Sequence, residues 1–205
     1  MSDIGVDPAQ VGGDKTVTFE IESPWITTFT GRQFHPFNPA VSDIHIYDIA
    51  HALANTCRFN GHTNQFYSVA QHSVLVAEVV KRMAPDRPCH DALLHDAAEA
   101  YLTDVCTPVK RSLDGFVAME ERVLRTIFEA YKVDRPGAVR EALIHRADTT
   151  LLATEARDLV RGWKPDGIEP LAERIVPWSP ERAEVIFLRA FRGTPYGEWR
   201  IPAAM

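Results

Sequence analysis

The stretch His90 to Leu102, HDALLHDAAEAYL, decides how the rest of the chain reads. Its Ala and Leu content predicts one helix, apolar enough to be central and surrounded by others. Three residues in it do not fit an ordinary core: His95, Asp96 and Glu99. On a helix, His95 and Glu99 are i,i+4 and Asp96 and Glu99 are i,i+3, so all three crowd one sector. A histidine and two carboxylates in an apolar setting are costly without compensation, and a divalent cation is their natural partner.

Outward from this stretch the texture stays helical. A helix over Phe66 to Met83 turns Val69, Val76, Val79, Val80 and Met83 inward, with His72 in its middle between apolar neighbours. Before it, Asp43 reads as the cap of a helix carrying Ile46, Ile49, Ala50 and Leu53, followed by a loop from Asn55 to Asn64. After it, Leu113 to Tyr131 carries Met119, Val123, Leu124, Ile127 and Phe128 on one stripe. Arg135-Pro136-Gly137 opens a long helix to about Val160, and Asp148 stands in its apolar run RADTTLLATEA. Pro165 to Trp178 is an irregular connection, and Ser179 as N-cap with Pro180 at the first helical position starts a final helix to Phe191. Upstream, WITTFTGRQFHPF (Trp25 to Phe37) reads as a hairpin or extended arm around Thr30-Gly31-Arg32. With no βαβ alternation, five to seven helices make an all-α bundle. Residues 1–18 read as a loose tail and 19–205 as a single domain, with a core at about 43–160 and a C-terminal extension at 161–205.

Composition narrows the function. The 205 residues are 45% hydrophobic and 24% charged, which excludes a disordered chain. At this length roughly 70% of the unfolded surface is buried on folding, so no disulfide is needed to hold a core. Lys plus Arg is 22 against 28 for Asp plus Glu, a net charge of −6 that argues against a nucleic-acid partner. Cys57, Cys89 and Cys106 are unpatterned and read as reduced thiols. No apolar run approaches the ~20 residues of a membrane span, so no membrane partner is expected. The N-terminus has no secretory h-region, and the cytoplasm is the expected location.

The chemistry lies in the joint pattern. A lone mid-helix histidine such as His72 is more often a satisfied core residue, and a lone Asp148 is more often salt-bridged. Together, His72, His95-Asp96 and Asp148 place imidazoles and carboxylates on three low-polarity helices. That donor set suits one divalent metal ion, with Mn, Co, Mg, Zn, Fe and Ni not distinguished. His35, His45, His51 and His90 show no ligand spacing and read as surface or core-edge residues. His145, three residues before Asp148, is a weaker candidate to face the site. Trp178, Phe187, Phe191 and Trp199 read as core or interface.

The runs SVAQHSVLVAE (Ser68 to Glu78), LLHDAAEAYLTDVCTPVK (Leu93 to Lys110) and HRADTTLLATEA (His145 to Ala156) resemble the HD-domain metal-dependent phosphohydrolases. Within that superfamily the chain is most similar to the bacterial 5′-deoxynucleotidase group, over about Asp43 to Val160. The resemblance implies His72, His95, Asp96 and Asp148 as metal ligands, and Glu99 and Asp104 as the acidic pair beside the attacking water. It also implies Arg58 and Lys110 against the substrate phosphate. His62, in the same loop as Arg58, is a further phosphate candidate. Where the group has Trp after the loop arginine, this chain has Phe59, which keeps a stacking surface without the indole N–H.

The expected reaction is hydrolysis of a (deoxy)nucleoside 5′-monophosphate to nucleoside and phosphate. The rivals are a dNTP hydrolase releasing triphosphate, a nucleotide-binding regulatory module without turnover, and a di-iron oxygenase, which would want more histidines. The likeness favours a homodimer.

Overall fold

The computed structural model describes residues 24–193; the expected tail at 1–18, and Trp199, lie outside them. Among the described residues there are eight helices and one two-stranded hairpin. The strands are β1 (Ile26–Thr27) and β2 (Gln33–Phe34), and the helices α1 (Ile46–Asn55), α2 (Val69–Met83), α3 (His90–Leu93) and α4 (Glu99–Leu102). They are followed by α5 (Thr107–Lys110), α6 (Phe116–Ala130), α7 (Ala138–Leu159) and α8 (Pro180–Phe191). The expected all-α bundle with an N-terminal hairpin is what forms, with more and shorter helices than the sequence suggests.

The central helix is α2 rather than the His90–Leu102 stretch. Every residue from Val69 to Ala77 is buried, because α2 packs against α1, α3, α7 and α8 at once. Ser68 starts it, its Oγ accepting from Gln71 N at 3.2 Å. Met83, expected inward, is partly exposed at the other end. In α1, Ile49, Ala50 and Leu53 are buried as expected. Asp43 does not cap this helix: it sits in a separate 3-10 turn, Val41–Asp43, and its carboxylate accepts from Ala40 N and Ser42 Oγ.

The hairpin pairs Ile26 with Phe34 and Thr27 with Gln33, and Gly31 takes the positive φ (79°) that its turn requires. Buried Phe34 stacks on Tyr101 with ring centroids 3.9 Å apart. Asp48 of α1 accepts from Thr30 N at 2.6 Å and Thr30 Oγ1 at 2.9 Å. At the other end, Ser179 caps α8 through Arg182 N. Trp178 and Phe187 are buried in the same apolar cluster as Phe34, so the C-terminal segment belongs to the one core. The connection before α8 is irregular, as expected. It is held by Gln71, whose Nε2 donates to Val176 O (2.9 Å) and whose Oε1 accepts from Trp178 N (2.8 Å).

The largest departure concerns His90–Leu102, which forms two short helices with a tight turn between them rather than one helix. His95 Nδ1 bonds the carbonyl of Ala92 at 2.8 Å, competing with the backbone for the acceptor of a regular turn. The following bonds are of the i,i+3 kind, Ala97 N to Leu94 O and Glu99 N to Asp96 O, both 3.0 Å. Ala content favours a helix here; the His95 side chain and tertiary packing override it.

One ion pair ties this region to α7. Arg140 donates from Nε to Asp91 Oδ2 (2.6 Å), and from Nη2 to Asp91 Oδ1 (2.7 Å) and Pro88 O (2.8 Å). The pair is largely buried, so removing one partner strands the other. Arg140→Ala is expected to cost about 3 kcal/mol, read as a lower urea midpoint at unchanged slope. An unchanged midpoint contradicts a structural role for the pair.

Candidate metal centre

His72, His95 and Asp148 come together from α2, the turn after α3, and α7. One ligand atom from each lies within 4.8 Å of the others. His72 Nε2 is 3.2 Å from Asp148 Oδ1 and 3.5 Å from Asp96 Oδ2, and His95 Nε2 is 3.2 Å from Asp96 Oδ2. Successive residues on a regular helix point about 100° apart. His95 and Asp96 both lie in the turn between α3 and α4 and nevertheless reach the same place. All four residues implied as ligands are therefore gathered.

The residue that organises them is Glu155, which the sequence reading does not single out. It is fully buried on α7, seven residues after Asp148 and so two turns along the same helix. Its Oε1 lies 2.7 Å from His72 Nδ1 and accepts from Tyr67 Oη at 2.9 Å; its Oε2 accepts from Arg58 Nε at 3.3 Å. The one available signal was a lone acid in an apolar helical run at that spacing.

These contacts assign the imidazole protons. His72 Nδ1 faces Glu155 and His95 Nδ1 faces a carbonyl, so each Nδ1 carries a proton and, in the neutral ring, each Nε2 presents its lone pair. Both Nε2 atoms are buried and lack a hydrogen bond. Two imidazole Nε2 atoms and two carboxylates thus converge, with Arg58 Nη1 the neighbouring donor, 3.5 Å from Asp96 Oδ2. A cation resolves this, and the residues present fit a divalent one.

The same crowding of negative charge shows in the electrostatics. Burial and nearby Arg58 pull the His72 pKa down, but Glu155 and Asp148 outweigh them and push it up to about 9, so the ring favours a second proton, which a cation bound at Nε2 would displace. Burial works against ionisation of Asp96, yet His95, His72 and Arg58 hold it well below the usual carboxylate range. Asp148 is held down by His72 against its burial, and Glu155 by Arg58 and His72. Glu99 goes the other way: burial, then Asp96 and Asp104, push its carboxyl up to about 10. Its Oε2 is buried without a hydrogen bond. Asp104 is also raised, chiefly by burial.

The remaining candidates divide. Arg58 is at the site, with Nη1 3.5 Å from Asp96 Oδ2 and Nη2 uncommitted among the described contacts. Its loop runs through three left-handed residues, Phe59 (φ 54°), Asn60 (50°) and Gly61 (77°), and is pinned to the end of α7 by Asn64 N on Leu159 O at 2.8 Å. Phe59 lies beside the Arg58 guanidinium, 5.6 Å from ring centroid to Cζ. It also meets Trp163 edge-on at 6.2 Å, a second aromatic missed in the sequence. Lys110 is not a free cation: Nζ donates to Glu120 Oε1 at 2.7 Å, although it lies near enough to Glu99 and Asp96 to feel their charge. His62 is exposed, and its ring makes no hydrogen bond to the cluster. His145 is exposed and outside the metal cluster, which leaves the oxygenase reading without its extra ligand among the described residues. His35, His51 and His90 pair elsewhere, with Asp43, Glu184 and the Phe191 carbonyl. The three cysteines are free, and no described helix is long and apolar enough to cross a membrane.

Glu155→Gln keeps the shape while removing the charge that fixes His72. Changing such a partner typically lowers metal affinity about 10–100-fold. Equilibrium dialysis against Mn(II) is expected to show that loss with the helical circular dichroism intact; equal affinity contradicts the assignment.

No protein-family model matches the chain. It is 38% identical over 175 residues to the uncharacterized protein YfdR of Escherichia coli, covering 82% of this chain and 93% of that one. It is also 37% identical over 143 residues to an uncharacterized protein of Rhodobacter capsulatus, covering 66% of this chain and 72% of that one. At that identity and coverage, the chain belongs to the same family as YfdR.

Proposed function

We propose that this chain is a divalent-metal-dependent phosphohydrolase of small nucleotides, converting a (deoxy)nucleoside 5′-monophosphate to nucleoside and phosphate. The reading follows the resemblance of its motifs to the HD-domain phosphohydrolases. The observation that carries it is the convergence of the His72 and His95 Nε2 atoms with Asp96 and Asp148, beside an arginine and a buried, unpartnered carboxyl.

His72, His95, Asp96 and Asp148 would hold the ion. When bound, a divalent ion supplies Lewis acidity, lowering the pKa of water and neutralising phosphoryl oxygens. Arg58 is oriented by Glu155 and Asp96, with Nη2 left to donate to a phosphoryl oxygen. Phe59 and Trp163 present ring surface beside that guanidinium, suited to a sugar or base. Glu99 exchanges a proton with the attacking water at Oε2, the atom with no other partner. Asp104, whose charge Glu99 feels, is the second acid for the leaving oxygen. Lys110 reaches the phosphate only by leaving Glu120.

Two experiments test this. Metal-stripped protein is resupplied with Mn, Co, Mg, Zn or Ni and offered dNMPs, NMPs and dNTPs, with phosphate and triphosphate read separately. Metal-dependent phosphate from monophosphates is expected. Triphosphate release would move the bond broken to the α-phosphate, and silence across the panel would leave a binding module. Glu99→Gln is expected to retain metal and lower kcat about 10²–10⁴-fold; full turnover with metal bound removes Glu99 from the mechanism.

A further inference from the structure

Four residues other than glycine take a positive φ among the described residues: Phe59, Asn60, Thr103 and Lys132. Phe59 (φ 54°, ψ 32°) and Asn60 (φ 50°, ψ 31°) lie in the ordinary left-handed well. Thr103 does not. Its φ of 66° goes with a ψ of 160°, a combination essentially confined to glycine. A β-branched residue is the least suited to it, because both heavy atoms on Cβ crowd the backbone. The side chain supplies no reason for the strain: it is exposed, and its hydroxyl makes no hydrogen bond among the described residues.

The reason lies in the chain on either side. Upstream, α4 is fixed by its buried residues Glu99 and Tyr101, the second stacked on Phe34. Thr103 N closes α4 on Glu99 O at 2.9 Å. Downstream, Val109 N and Lys110 N both reach Cys106 O (3.0 and 2.9 Å), and Lys110 Nζ bonds Glu120 of α6. With both sides anchored, the change of direction after α4 falls on Thr103. The residue it redirects is Asp104. On a continuous helix, residues five apart stand about 140° from each other around the axis, so Asp104 would leave the face that Glu99 presents. Instead Asp104 is half-buried, and its charge reaches Glu99, Arg58, Asp96, His72 and Lys110. Two carboxyls from one short stretch, Glu99 and Asp104, thereby share the field of one arginine. Strain of this kind persists only where the surroundings over-determine it, and it concentrates at working sites.

We propose that Thr103 is a positioning residue: its backbone is held in a glycine-like conformation so that Asp104 stands beside Glu99 and Arg58. A residue that cannot keep a positive φ there releases Asp104 from the site. The placement stands on the backbone and on the groups around Asp104; only its catalytic consequence rests on the reading of Asp104 as the second acid.

Substitutions in the full chain test this. Thr103→Gly keeps the conformation and the bond to Glu99 while removing the crowded Cβ, a gain that outweighs the greater freedom of glycine in the unfolded chain. It is expected to raise the thermal midpoint by about 2–4 °C; an equal or lower midpoint overturns the proposal. Placement is read by ¹⁵N–¹H NMR at the Arg58 Nε–H, which is held on buried Glu155. Asp104→Asn is expected to move that resonance, and no movement overturns the proposal. Thr103→Pro locks φ at about −65°. It is expected to move the resonance as Asp104→Asn does, with no further movement when the two are combined, while Thr103→Gly leaves it in place. Additive movement in the combined variant overturns the proposal. Proline also removes the N–H that closes α4, so the first two measurements decide if that variant unfolds. In turnover, Thr103→Pro is expected to retain metal and lower kcat to the level of Asp104→Asn at similar KM; wild-type kcat overturns the proposal. A wild-type chain inactive on every nucleotide counts against the phosphohydrolase reading alone, since melting and NMR need no substrate.

Discussion

The contact on which the rest depends is the one between His72 Nδ1 and Glu155, 2.7 Å apart with both side chains fully buried. Each group alone would be expensive at that depth, at several kcal/mol for an unpaired ion. Together they fix the spacing of α2 and α7 and the face that the imidazole turns toward Asp96 and Asp148. The same carboxylate also receives Tyr67 and Arg58, so the loop that carries Phe59 is set by it as well. A centre built this way is held by packed helices rather than by surface loops, which keeps its donors in place before any ion arrives.

Helix α7 is the element through which these constraints run. Arg140, Asp148 and Glu155 stand about two turns apart in succession and share one stripe of it. The first clamps the segment entering α3, the second joins the cluster, and the third orients His72. The turn between α3 and α4 completes the arrangement by carrying the other two members of the cluster, His95 and Asp96.

Much of this was legible in the sequence, for identifiable reasons. Ser179 announces α8 because its hydroxyl does cap the helix, whereas Ser68, the cap of α2, fell inside the span Phe66 to Met83 read as helix. The four clustered residues stood out because a charge in an apolar run is costly unless something pays for it. Glu155 stood out less, since a single acid in LLATEA is ambiguous until its partners Tyr67 and Arg58, far away in the chain, are seen to reach it. The α3–α4 break was hidden because local propensity favours helix through Ala97 and Ala98, and the competing bond from the His95 ring is a tertiary choice. Lys110 read as a free cation because Glu120, ten residues on, gives no sign in sequence that α6 folds back to take it. Trp163 was invisible for a similar reason: its contact with Phe59 exists only after the α7 end meets the left-handed loop.

The central claim is that one divalent ion sits between His72, His95, Asp96 and Asp148. Anomalous diffraction at the zinc edge, from crystals of the full chain grown with Zn(II), tests it most directly. The account predicts a single strong peak about 2.0–2.2 Å from Nε2 of both histidines and from a carboxylate oxygen of each aspartate. A peak elsewhere, or Nε2 atoms hydrogen-bonded to one another's carboxylates with no peak between them, would contradict it.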